Sequence, residues 1–355
     1  MNKTLLLLTF LLANFGLRAQ ESFTISGTLS NAKGEKLESA TVFIGNSQIA
    51  TVSDKDGVFR ISGLSPGTYQ LIVNLLSYAP AKQEVTIKES SEAVNLVLKE
   101  KGIALKGVAI GDESKRKNFL KTFNKYFLGE SENAKGCVLM NPDVLDFSTN
   151  KALMQATADD FLIVENNKLG YRIKYLLRNF QYNSAGDVTT YDGEAFFEPL
   201  KGTEAQKKEW KVNRDKTYKG SLMHYLRALY TNTTREEGFL TYAVTNQLFP
   251  MVADPNPVST IQLITRVDSN FIVVKYPKRL YTVYDPKKAS EELRLAKGQK
   301  IIEYLDKTGS VLMIKAEIDA KGRYSENQNI LMQGFWSKLR IGDQLPFEYE
   351  PKEGG

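Results

Sequence analysis

Between Phe23 and Leu98, apolar and polar residues alternate in short runs separated by turn residues. Seven runs stand out: FTISGTL, TVFIG, IATVS, VFRI, TYQLIVNL, KQEVTI and AVNLVL. The alternation is clearest where Tyr69, Leu71, Val73 and Leu75 fall on one face, and again at Val94, Leu96 and Leu98. Period-two patterning broken by turn signals every 8 to 12 residues predicts an antiparallel β-sandwich.

The rhythm changes after Gly102. Gly102 to Lys117 reads as a connector, with one short apolar segment and then GDESKRK. Ser114 can cap a helix, and Phe119, Leu120, Phe123, Tyr126 and Phe127 then recur on one helical face ending at Gly129. Lys117, Lys121 and Lys125 share the other face, which reads as a solvated side rather than a lipid- or glycan-docking stripe. Strand signals follow at Cys137 to Met140, Phe161 to Glu165, Tyr171 to Tyr182 and Glu194 to Phe197. In YRIKYLLRNFQY the inward parity changes between Tyr175 and Phe180, which predicts a bulge. Thr203 with Gln206 forms a capping box, and Ser221 opens a second helix, SLMHYLRALY. After Gly238 the chain returns to strands: LTYAV, IQLIT, NFIVVKY, RLYTVYD, KIIEYL and VLMIKAEI, with a hairpin turn at Asp306 to Gly309. WSKLRIGDQLPFEYEP closes the chain without a membrane tail. The expected fold is mainly β: a seven-stranded sandwich, then a β-rich α+β domain with about three helices.

The 355 residues are 42% hydrophobic and 25% charged, which suits globular domains. The opening MNKTLLLLTFLLANFGLRAQ is set apart from them. Lys3 supplies a positive start, Leu5 to Ala13 an apolar run, and Leu17 and Ala19 small or apolar cleavage positions. The run is shorter than the roughly 20 residues of a spanning helix, so a cleaved export signal is expected over residues 1–19. No cysteine follows it for a lipid anchor. The sandwich is expected over 20–100, a linker over 101–115, and the second domain over 116–355. Cleavage removes Lys3 and Arg18, lowering the formal charge of +6 by two. A balance this mild makes no case for nucleic acid. Cys137 is the sole cysteine, so no intramolecular disulfide forms, and it reads as a small packed residue. No later stretch approaches 18 apolar residues, and the later strands are too few and irregular for a membrane barrel. The mature chain is expected to be soluble or peripherally held.

The stretch DKDGVFRISGLSPGTY poses a choice between a calcium loop and a turn. With Asp54 and Asp56 at positions 3 and 5 and Gly57 at 6, an EF-hand register puts Val52 at position 1 and Gly63 at 12. Neither supplies a side-chain oxygen. Asp56-Gly57 therefore reads as a tight turn between strands, as does Pro66-Gly67.

Taken together, ISGTL, NAKGEKLESATVFI, TVSDKDGVFRISGLSPGTYQLIV and SYAP resemble the carboxypeptidase regulatory-like domain of exported Bacteroidota proteins. The resemblance implies a seven-stranded sandwich of transthyretin-like topology. Lys36 and Ser39 stand where that family usually has proline and glycine, and Ser77 where glycine is common. A zinc carboxypeptidase of the kind this domain accompanies needs two histidines and a glutamate, whereas His224 is the single histidine. The same domain fronts TonB-dependent receptors, where a strand resembling LKGVAI (Leu105 to Ile110) follows it. The remaining chain of about 240 residues is too short for a plug and 22-stranded barrel. The later segments FLGESENAKGCVLMNPDVLDF, LGYRIKYLLRNF, YKGSLMHYLRALYTN and EEGF resemble the region that accompanies this domain in Bacteroidota proteins. No activity is attached to that region.

No residue set demands an enzyme. Ser221 lies three residues before His224 on one helical face, but its expected role is the cap. Cys137 with His224 lacks any protease motif. Asp159-Asp160 and Glu236-Glu237 are adjacent pairs whose side chains diverge on a strand, so neither chelates by itself. No phosphate- or dinucleotide-binding glycine loop is present. A carboxylate pair for glycoside hydrolysis remains open because such pairs meet only in space. Trp210 and Trp336 could serve sugar platforms, but most rings read as core. The sequence thus points to a non-enzymatic cell-envelope protein, periplasmic or associated with the outer membrane. It would bind or scaffold a protein or glycan partner, with no cofactor, metal, nucleic acid or transmembrane segment after signal cleavage. A glycan hydrolase using a carboxylate pair in the second domain is the alternative. Partner identity and oligomeric state are not encoded in any motif.

Overall fold

Eight short strands build the amino-terminal module in a computed structural model that describes residues 22–101, 113–246, 250–290, 308–325 and 329–351. The expected signal (1–19), the LKGVAI segment and KIIEYL lie outside these residues, as does most of the linker. The strands are β1 (Phe23–Asn31), β2 (Thr41–Ile44), β3 (Ala50–Val52), β4 (Val58–Leu64), β5 (Gly67–Asn74), β6 (Ala81–Ile87), β7 (Glu92–Ala93) and β8 (Leu96–Leu98). The seventh expected run, AVNLVL, divides into β7 and β8, both parallel to β1. β4, β1, β7 and β8 form one sheet, and β3-β2-β5-β6 the other. Ile25, Leu29, Phe59, Ile61, Tyr69, Leu71 and Val73 close the core between them.

The DKDG stretch is a turn. Asp54 Oδ1 accepts the backbone N–H groups of Asp56 (2.9 Å) and Val58 (2.8 Å), an Asx-type arrangement. Gly57 has φ +70°, and a Cβ there would meet Leu29 O at 2.5 Å. Gly57→Ala therefore combines a left-handed backbone with a clash. It is expected to cost about 2 kcal/mol, read as a lowered urea midpoint at unchanged slope. Ser39 (φ 62°) and Ser77 (φ 70°) occupy the same left-handed region. These are two of the positions where the related domain usually carries glycine, so the backbone is retained although the residue differs.

The second part contains two sheets. The first comprises β9 (Cys137–Leu139), β10 (Leu145–Asn150), β11 (Leu153–Ala158), β12 (Leu162–Asn166), β13 (Tyr171–Asn183) and β14 (Val188–Pro199). The long β13–β14 hairpin is its spine, and the register slips between Leu177 and Asn179. Arg178 is the bulged residue, inside the predicted interval. Helix α1 (Glu113–Leu128) lays Phe123 and Phe127 on this sheet, while Lys117, Lys121 and Lys125 are exposed. The second sheet comprises β15 (Phe239–Asn246), β16 (Val252–Pro257), β17 (Ile264–Arg266), β18 (Phe271–Lys275), β19 (Leu280–Tyr284), β20 (Gly309–Asp319) and β21 (Asn329–Gly334). Half of the expected IQLIT strand is instead a 3-10 turn at Thr260–Gln262. It leaves Ile261 74% exposed, so the apolar run was not wholly a buried strand.

Two helices join the sheets, α2 (Glu204–Tyr218) and α3 (Leu222–Thr231). Thr203 and Gln206 form the expected capping box. Shorter helices α4 (Pro286–Ser290) and α5 (Phe335–Lys338) complete the described set. Among the described residues no helix is long and apolar enough to cross a membrane, which says nothing of strands.

Candidate functional site

The sandwich carries apolar residues on both faces of β2 and β5. Tyr69, Leu71 and Val73 face its own core, whereas Phe43 and Ile72 point out of it and are fully buried against Leu176, Phe161 and Phe196 of the second part. Phe43 meets Phe161 at 5.8 Å and Phe196 at 5.6 Å between ring centroids, both tilted, the spacing aromatic pairs favour. Backbone bonds stitch the same seam. Asn46 N–H donates to Ala195 O (2.7 Å), Phe197 N–H to Ser47 O and Phe347 N–H to Asn46 O (both 2.9 Å).

Charge reinforces the seam at two points. Glu194, with a side chain 2% exposed, accepts Lys82 Nζ at 2.5 Å and Arg178 at 3.4 Å, so the bulge brings Arg178 to the junction. Asp319 and Arg323, also buried, pair at 2.7 Å across from β5. Asp319 Oδ2 accepts the Thr68 N–H, and the guanidinium lies 4.0 Å over the Tyr69 ring. The module is fastened to both sheets.

Where the two faces diverge beyond the aromatic seam, they leave a cleft of about 510 Å³. Its floor is Phe43, Phe161 and Phe196. One wall is the cross-strand row Val52–Thr41–Asn74. The other is the row Ile163–Lys174–Phe196, continued by Glu198 and Asp160. Asn141 fixes the corner: its Oδ1 accepts Ile163 N–H and its Nδ2 donates to Phe161 O, both at 2.8 Å. Lys174 Nζ holds Glu198 at 2.6 Å. Asp160 Oδ1 accepts the Phe161 N–H at 2.7 Å, and the carboxylate faces solvent. Chemically this is an apolar floor with a rim of amide, hydroxyl and carboxylate groups. Such a lining holds a ligand through desolvated rings and a few oriented polar contacts.

The residues singled out from the sequence take different places. Asp160 joins the cleft, whereas the Asp159 carbonyl accepts Lys101 Nζ at 3.0 Å. Ser221 Oγ accepts the His224 N–H at 3.1 Å, the capping role. Gly220 N–H donates to His224 Nδ1 (3.0 Å), so the neutral ring carries its proton on Nε2 and donates to Glu237 (3.1 Å). Tyr218, Phe239 and Tyr284 surround that ring. Glu236 instead lines a separate hollow near Thr234 and Thr260. The Cys137 thiol donates to Asn133 O and is pushed up to about 12, chiefly by burial. It packs against the first sheet's core, and no contact with His224 is among its described bonds. Trp210 and Trp336 are buried, their indole N–H groups bonded to Asn167 O and Gly220 O. Among the described residues no group of three or more histidine, cysteine or acidic side chains is placed to hold a metal.

Burial holds the His224 imidazole below its usual pKa, with Glu237 pulling the other way. The unfolded value is about 6.5. A depressed folded value means the contribution to stability is complete above about pH 6.5 and is lost as pH falls through the folded pKa. Because His224 is the sole histidine, its ring proton resonance reports this directly. The expected midpoint lies below 6.5 and falls further in Glu237→Gln; a midpoint at or above 6.5 contradicts the burial argument.

Phe43, Phe161, Phe196, Thr41, Asn74 and Lys174 were not marked as site residues by sequence reasoning. The available signal was the unbroken apolar doublets, TVFI and AFF, which on a strand require both faces to be covered.

Several solved structures show limited similarity. A chain of a type II cohesin–X-dockerin complex from Acetivibrio cellulolyticus shares 17% identity over 28% of this chain and 72% of that one, at TM-score 0.21. A Bacteroides fragilis protein of unknown function described as membrane-associated shares 10% over 88% and 95%, at 0.19. A Bacteroides uniformis protein described as carbohydrate-binding shares 8% over 88% and 98%, also at 0.19. Overlaps at this level carry neither fold nor function to this chain. No curated protein matches it. Residues 25–110, which include the module that forms one wall of the cleft, match the CarboxypepD_reg-like domain.

Proposed function

We propose that this chain is an exported cell-envelope protein that binds a protein partner in the cleft between its amino-terminal module and the first sheet of its second part. The observation that carries the reading is the character of the accessible apolar surface. Among the described residues every exposed large apolar side chain is aliphatic, such as Val52, Leu76, Met140 and Leu331, and no aromatic ring is exposed. Glycan sites rely on well-exposed ring faces, whereas the rings of this cleft are at most part-exposed and are bordered by aliphatic and polar side chains. The fastened junction supports the same reading, since a rigid cleft avoids the ordering cost of assembly on binding. Export is supported by the signal-like opening and the CarboxypepD_reg-like match.

A hydrolase reading rests on Asp160 and Glu198, two carboxylates lining one cleft. Its weakness is Lys174, which occupies Glu198.

The test uses the mature chain and Thr41→Arg, which places a long charged side chain in the cleft without touching the ring seam. Both serve as bait in envelope extract. The expected result is a discrete protein held by the wild type and lost by Thr41→Arg at unchanged melting temperature. Equal capture by both baits, or retention of polysaccharide in place of protein, contradicts the reading. Release of reducing sugar from envelope polysaccharide by wild type but not Glu198→Gln would favour the hydrolase.

A further inference from the structure

We propose that the partner enters the cleft as an extended peptide that adds a strand to the free edge of β3, an inference that rests on the cleft being the binding site. β3 ends its sheet. Its hydrogen-bonding parity follows from the bonds on either side: Ile44 N–H donates to Ile49 O, and Ser53 N–H to Ala40 O, each at 3.0 Å. In an antiparallel pair the bonded positions alternate, so Thr51 turns its N–H and C=O toward β2. Ala50 and Val52 turn theirs outward, two residues apart, the spacing at which an added strand bonds.

The edge is three residues long and its carboxyl end turns into β4, where Asp54 N–H donates to Val58 O at 2.9 Å, but β3 itself carries no lysine, proline or bulge. Sheets blunt free edges with lysine, proline or bulges. β16, at the end of the second large sheet, has Pro255, Pro257 and two register shifts, and β6, the other end of the β3 sheet, has Lys82 and Glu84. β3 reads Ala-Thr-Val, with Val52 57% exposed.

The flanking chemistry specifies the occupant. Ala50 and Val52 share the cleft face, since they pair with Phe43 and Thr41. The opposite side of the cleft carries Phe161, Ile163 and Asp160, so the inward side chains of an added strand meet two apolar groups and one carboxylate. The first two favour an aliphatic residue. Asp160 is exposed and makes no ion pair among the described residues, so it complements a lysine or arginine two positions away. The occupant is a protein segment reading aliphatic-x-basic in extended conformation.

The experiment selects peptides from a phage-displayed random dodecapeptide library on the mature protein, then measures a selected synthetic peptide by fluorescence anisotropy. The expected peptides place an aliphatic residue two positions from lysine or arginine. Val52→Pro removes an outward N–H while leaving the ladder to β2 intact, and should weaken binding about tenfold. Val52→Thr, which keeps that N–H, should stay within about twofold. Asp160→Lys, a change at an exposed position checked for folding by circular dichroism, should weaken the peptide about three- to fivefold and shift selection toward acidic residues. If Val52→Pro, folded by circular dichroism, binds as wild type while Thr41→Arg loses the peptide, strand addition is wrong and the cleft reading stands. If neither variant changes binding, or no peptide is enriched, both are wrong. Should Val52→Pro fail to fold, unchanged selection by Asp160→Lys overturns the proposal.

Discussion

Arg323→Ala is expected to lower folding stability by about 3–5 kcal/mol, the range for stripping one partner from a buried ion pair. Asp319 is fully buried and the Arg323 side chain only 6% exposed. Without the guanidinium, the Asp319 carboxylate keeps the backbone N–H groups of Thr68, Lys321 and residue 323 but no countercharge. The Tyr69 ring also loses the cation stacked 4.0 Å above it. The loss should be mostly a stranded-charge effect, so adding Asp319→Asn to Arg323→Ala, which removes the charge but keeps an acceptor oxygen for the backbone N–H groups, should recover part of it. Urea unfolding of the two variants beside the wild type measures both claims. A loss under about 1 kcal/mol for Arg323→Ala would mean that water reaches Asp319 and the junction is looser than described.

Phe123→Ala should cost about 3–5 kcal/mol through lost transfer free energy and the cavity left behind. Its ring is fully buried, stacked on Phe127 at 4.7 Å and edge-on to Phe180 at 4.8 Å. Those partners come from α1 and the bulged strand β13, so neither can collapse into the space without moving an element. Phe119→Ala, one turn earlier and half-buried, should cost distinctly less. Equal costs in chemical denaturation would mean the helix is anchored along its length rather than at Phe123.

Local signals in the sequence carried much of this fold. The parity change in YRIKYLLRNFQY marked the Arg178 bulge, Ser221 and Thr203 marked helix starts, and Asp56-Gly57 marked a turn, because each depends on a few neighbouring residues. Strands β10 and β11 read LDFSTN and LMQATA, and their alternation is diluted by polar residues that the exposed face allows. β16 contains two prolines, acceptable at a sheet edge but a breaker by any local rule. The cleft was less legible. Asp160 was noticed as half of a carboxylate doublet, but its neighbours across the junction lie far away in sequence. Phe43 and Phe196 read as ordinary core because a second buried face looks like stronger strand propensity until the partner sheet is known.

The most direct measurement is site-specific photo-crosslinking in the native envelope. A benzophenone side chain at Val52, on the cleft wall, is compared with one at Val188, equally exposed (57% and 56%) but at the tip of the β13–β14 hairpin. The account predicts one discrete protein adduct from position 52 and none of that mass from position 188. No protein adduct from position 52, or the same adducts from both positions, would contradict it.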